Sequence, residues 1–282
     1  MNKSILRVAL VAGASLLAIG PAFATHSWSG YHWAGNGLNI TLKVNKALTG
    51  SWPTAVDGAI TDWDVSSELT LTPQIASVNT RKCNPIAGQI LVCNDSYGQR
   101  GWLGIASIWL TSGHISQGTT KLNDTYFNMA QYNTSAWRAM VACQEIGHDF
   151  GLDHQDAAFS NYNLGSCMDY TNAPGGGTVN GFNYGPSNEH PNSHDYTMLN
   201  TIYNHDDGFT TASAATNFGI RQLGRPVPQP VSSTGSGDSP AEWGRAIHYD
   251  GQGRPDVFLK DLGAGHKVLT HVLWAVGEGP RN

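Results

Sequence analysis

Apolar and polar residues alternate through Leu38, Ile40, Leu42 and Val44, the period-two pattern of a half-buried strand. The period then lengthens. Trp52, Ala55, Val56, Ala59, Ile60 and Trp63 recur at helical spacing, and Pro53 after Ser51 suits a first turn. Segments 69–75, 89–93, 105–110 and 119–127 have the composition of strands. A second helix is predicted to begin near Asn133 or Thr134, and its apolar stripe of Trp137, Met140 and Val141 also contains Gln144. A stretch rich in Gly and Asn follows His154, and then Tyr196, Leu199, Ile202 and Tyr203 mark one side of a further helix. From about Thr210 the pattern lapses into Pro-, Gly- and Ser-rich sequence, which reads as an extended linker. Segments 243–249, 256–262 and 268–275 then predict three short strands with Gly-rich turns, a small β module docked on the rest. Its Trp243, Tyr249 and Trp274 are expected to serve packing.

The chemistry concentrates in residues 144–154, which read QExxHxxGxxH. On a helix, Gln144 and His148 share a face and Glu145 stands beside them. Gly151 can take a positive φ, ending the helix and turning the chain so that His154 reaches the same point. Two imidazoles and an amide oxygen could hold a metal ion there, and Glu145 could act as general base toward a metal-acidified water.

This run resembles the metzincin superfamily of zinc metallopeptidases, whose pattern is HExxHxxGxxH followed by a methionine-containing turn. Ser166, Met168 and Tyr170 look like that turn. The resemblance implies Zn2+ as cofactor, Gln144, His148 and His154 as metal ligands, Glu145 as base, Tyr170 as an oxyanion partner and Met168 as an apolar floor. It also implies an α+β fold: a twisted mixed sheet with two long helices, then a C-terminal subdomain with one helix, here followed by the small β module. In the family an edge strand pairs with an extended peptide substrate, and 119–127 is the nearest candidate. The departure is Gln144, where the family has histidine. A neutral amide oxygen is a weaker donor, so looser zinc binding is expected. His114, His190, His194 and His205 could include a substitute ligand, although surface or capping roles are the default for such residues.

The chain has 282 residues, 40% hydrophobic and 13% charged, enough for one sizeable core and a small appendage. A net charge of −5 and no basic face argue against a nucleic-acid partner. Lys3 and Arg7, an apolar run from 8 to 19, and Ala22 and Ala24 fit a signal peptide cleaved after Ala24, with no membrane attachment afterwards. The expected organisation is therefore signal peptide 1–24, catalytic domain 25–209, linker 210–240 and β module 241–282. Export, extracellular or periplasmic, makes disulfides plausible. Of the three pairings open to four cysteines, Cys83 with Cys93 closes a local loop, and Cys143 with Cys167 would tie the active helix to the methionine turn. The expected function is secreted zinc endopeptidase acting as a monomer on protein or peptide substrates. The alternative is a weak or inactive binding protein on the same fold.

Overall fold

The structure is a computed structural model that describes residues 26–212 and 237–280; the expected signal peptide and most of the expected linker fall outside them. The chain forms strands β1 (His32–Trp33) and β2 (Ile40–Ala47), helix α1 (Trp52–Trp63), then β3 (Leu69–Ile75), β4 (Ile90–Asp95), β5 (Trp102–Thr111) and β6 (His114–Asn123). Helices α2 (Asp124–Phe127) and α3 (Ser135–Asp149), a short hairpin of β7 (Thr178–Val179) and β8 (Phe182–Asn183), and α4 (Ser193–Tyr203) follow. After the undescribed segment come α5 (Pro240–Trp243), β9 (Arg245–Tyr249), β10 (Pro255–Gly263) and β11 (His266–Trp274).

Local chemistry sets the boundaries. The Thr134 side chain accepts a hydrogen bond from the Trp137 amide and starts α3, and Asn192 with Asp195 forms a capping box on α4. Residues 124–127, expected to continue a strand, instead form one helical turn. The Asn123 side chain accepts from the Thr125 amide, and that cap ends the strand.

One mixed sheet of nine strands organises the fold, in the order β3, β2, β4, β6, β5, β11, β10, β9, with β1 added to β6. Helices α1 and α3 bury apolar stripes in the main core with Leu42, Val44, Val92 and Ile108. A second cluster, including Trp102, Ile105, Trp243, Phe258 and Trp274, forms around the C-terminal strands. Trp243 and Trp274 are therefore core residues, whereas Tyr249 is exposed.

Two expectations need correction. The C-terminal strands form, but they extend the main sheet: β11 runs antiparallel to β5 from His266 opposite Thr111 to Trp274 opposite Trp102. A three-stranded unit has too little surface to bury alone, and the open side of β5 offers a full row of backbone partners. The segment proposed as substrate-pairing edge is also misplaced, since β6 lies inside the sheet between β4 and β5. The free side before β11 is added belongs to β5. Disulfides join Cys83 to Cys93 and Cys143 to Cys167.

Candidate metal centre

Helix α3 carries Gln144, Glu145 and His148, all fully buried. It ends at Asp149, and Gly151, at φ +92°, reverses the chain. A Cβ on Gly151 would lie 1.9 Å from the Tyr31 carbonyl oxygen, so the N-terminal segment can cross the turn only over glycine. That segment is pinned there by two hydrogen bonds, from the Trp28 amide to the Gly151 carbonyl (3.0 Å) and from the Asp153 amide to the His26 carbonyl (2.8 Å). The reversal places His154 Nε2 3.1 Å from His148 Nε2. His148 Nδ1 lies 2.8 Å from the Leu152 carbonyl, which only accepts, so the ring proton sits on Nδ1 and Nε2 presents its lone pair.

A third imidazole comes from the C-terminal strand. Leu269, His271 and Leu273 share one face of β11, and the two leucines enter the main core on either side of the histidine. The His271 ring centroid is 4.0 Å from that of His148 and 4.7 Å from that of His154. Candidate ligand atoms of the three histidines all lie within 4.8 Å of one another. His271 also touches both expected catalytic groups: Nδ1 is 3.0 Å from Glu145 Oε2, and Nε2 is 2.8 Å from the Tyr170 hydroxyl. Tyr170 donates to Asp256 Oδ2 (2.9 Å), and Asp256 Oδ1 meets His248 Nδ1 (2.7 Å), so hydrogen bonds run unbroken from Glu145 to a half-exposed histidine.

The amide of Gln144 donates to the Cys167 carbonyl at 2.8 Å, while its Oε1 is buried with no hydrogen-bond partner among the described residues. Met168 lies beneath α3, where a Cβ on Gly147 would come within 2.6 Å of its sulfur. Across the sheet, Gly104 of β5 makes room for Glu145, since a Cβ there would lie 2.7 Å from both Cγ and Oε1. Burial governs the charges. It pushes the Glu145 carboxyl well up and holds the His148 and His154 imidazoles down. It also lowers His271 to about 4. The rings are accordingly neutral, the form that binds metal.

The other histidines considered from sequence are elsewhere. His190 pairs with Asp62, His194 stacks on His26, and His114 and His205 belong to a separate cluster with His32 and Asp207. His271 was missed because no motif surrounds it. Its one sequence signal is a lone histidine at an inward position of an otherwise apolar strand.

The donor set fits zinc: neutral imidazoles converge in a fully buried pocket, and one buried oxygen each of Gln144 and Glu145, Oε1 in both, has no hydrogen-bond partner among the described residues.

No family model and no curated protein matches the sequence. Among solved structures, high choriolytic enzyme 1, a hatching enzyme zinc-protease from Oryzias latipes (medaka fish), aligns over 62% of this chain and 95% of its own, at 13% identity and TM-score 0.36. Myroilysin aligns over 64% of this chain and 98% of its own at 12% identity and TM-score 0.34. A second myroilysin structure covers 61% and 88% at 12% identity and TM-score 0.31. Superposition this loose fixes neither ligands nor chemistry, so the centre's properties rest on its own atoms.

Proposed function

We propose that this chain is an exported zinc endopeptidase of the metzincin type whose centre is closed by its own C-terminal strand. The observation that carries the reading is the convergence of His148, His154 and His271 beside Glu145. In the closed form the three imidazoles would hold the ion, His271 exchanging its Nδ1 contact with Glu145 for the metal. With β11 withdrawn, Gln144 Oε1 would be the third donor beside His148 and His154.

Zinc bound in this pocket would supply an acidified water and a polarised substrate carbonyl. Glu145 is the base. Burial raises the proton affinity of its carboxylate, so a Glu145 carboxylate facing a metal-bound water would take a proton and return it to a departing amine. Tyr170 stays protonated because burial, reinforced by Asp256, raises its pKa, so its hydroxyl can donate to an oxyanion. In the structure His271 lies within hydrogen-bond distance of both groups, so it stands where a substrate would have to reach them.

Strand addition supports the same reading. By the family resemblance an extended peptide would pair with the sheet edge beside the centre, and β11 lies antiparallel along β5 in that place. Substrate entry then requires β11 to leave. Complete burial of the centre is what a second reading, a non-catalytic zinc protein on this fold, rests on.

Zinc content and casein cleavage of the protein beginning at residue 25 test both, alongside Glu145→Ala and His271→Ala. The peptidase reading expects bound zinc, weak cleavage by the intact protein, more by His271→Ala and none by Glu145→Ala. Zinc without Glu145-dependent cleavage in any form supports the second reading, and protein that binds no zinc overturns both.

A further inference from the structure

We infer that His32, His114, His205 and Asp207 form a second zinc site, which staples the N-terminal strand to the end of α4. The four side chains come from three places. His32 and His114 are register partners on the parallel strands β1 and β6, and His205 and Asp207 lie just past α4. Asp207 Oδ1 is 3.4 Å from His32 Nε2, 3.2 Å from His114 Nε2 and 3.3 Å from His205 Nε2. His32 and His205 Nε2 are 3.1 Å apart. Tetrahedral zinc with bonds of about 2.0 to 2.1 Å sets neighbouring ligand atoms about 3.3 Å apart, and these four separations lie near that value. His32, His114 and Asp207 form the compact set, with ligand atoms all within 4.8 Å of one another, and His205 would be the fourth donor.

Protonation makes the same point. His32 Nδ1 is 2.7 Å from the Gly30 carbonyl, which can only accept, so in the neutral ring the proton is on Nδ1 and Nε2 is bare. That bare nitrogen faces a carboxylate oxygen at 3.4 Å and the His205 ring nitrogen at 3.1 Å, so a lone pair is aimed into the cluster where a cation would sit. The surroundings also orient the ligands as an outer shell does. Asp207 Oδ2 accepts from the Gly35 amide at 2.8 Å, and the His32 ring stands nearly perpendicular to those of His114 and His205.

The site is distinct from the one on α3 but mechanically joined to it. Trp33, next to His32, donates its indole N–H to the Asp149 carbonyl at 2.9 Å, and Tyr203 donates to the Phe150 carbonyl at 2.8 Å. Zinc here would fasten the segment that crosses the Gly151 turn.

The test is zinc stoichiometry on the whole protein, with thermal unfolding before and after a chelator. His205→Ala is the first variant, because that side chain is 46% exposed and its loss leaves no hole in the core. Asp207→Asn is the second. The wild type should bind two zinc ions, each variant should lose one at limiting zinc with affinity down at least tenfold, and its melting temperature should respond less to the chelator. His148→Ala should remove the other ion and leave this one. Loss of the only bound zinc in His205→Ala would support this site and refute the α3 centre. Zinc content unchanged in both His205→Ala and Asp207→Asn, or no zinc bound by the wild type at saturating zinc, overturns the inference.

Discussion

Gly151→Ala perturbs the turn on which the α3 centre depends. The residue sits at φ +92°, and a methyl group would fall 1.9 Å from a backbone oxygen, that of Tyr31, which no rotamer change can move aside. Backbone strain at positive φ costs about 1 to 3 kcal/mol, and forced overpacking adds about 1 to 3, for a loss of about 2 to 6 kcal/mol. Relief by displacement would shift the Leu152 carbonyl that orients His148 and widen the 3.1 Å gap to His154. Zinc affinity should then fall tenfold or more. The control is Gly181→Ala, at φ +84° with nothing within 4 Å of the added Cβ, which isolates strain from collision. Urea unfolding with linear extrapolation and a zinc titration read both effects. If Gly151→Ala destabilises no more than Gly181→Ala and zinc affinity is unchanged, the crossing of the N-terminal segment does not position the site.

Gly104→Ala should cost about 1 to 3 kcal/mol by driving a methyl group against Glu145, and any cleavage should fall with it; wild-type stability and activity would refute the packing argument. Arg254 is fully buried, held by Asp250 at 2.7 Å and by the Ala275 and Glu278 carbonyls. Asp250→Ala leaves that charge without its counter-ion, and urea unfolding should register a loss of about 3 to 5 kcal/mol, against less than about 1 if the pair is dispensable. Asp169 is buried and its pKa is pushed up from 3.8 to about 6, burial being the largest cause. A carboxyl raised on folding costs stability as pH climbs from its unfolded to its folded value, so the wild type should lose up to about 3 kcal/mol relative to Asp169→Asn between pH 4 and 6. A difference that stays flat over that window, measured by unfolding at several pH values, would contradict it.

Long periodic segments were legible in the sequence. Trp52 to Trp63 is helical as its spacing predicts, 69–75 is a strand to the residue, and Thr134 caps α3. The QExxHxxGxxH run also places Glu145, His148 and His154 together, because helix period and a glycine turn are local. What could not be read is long-range. Periodicity says that β11 is a strand with one buried face; it does not say that the strand lies along β5, more than 150 residues earlier. His271 and the His32, His114, His205 and Asp207 cluster depend on such pairings, so they carry no spacing signature. The strand expected at 124–127 gives way to a helical turn, because the Asn123 cap outweighs the β-like composition of its neighbours.

The closed centre requires that an imidazole from the C-terminal strand share an ion with the two from the α3 turn. Zinc titration of the His205→Ala protein, which leaves the α3 centre to be read alone, should give one tightly held ion, and adding His271→Ala should weaken it at least tenfold without unfolding the chain. Equal affinity in the two proteins would remove His271 from the metal and with it the closed centre.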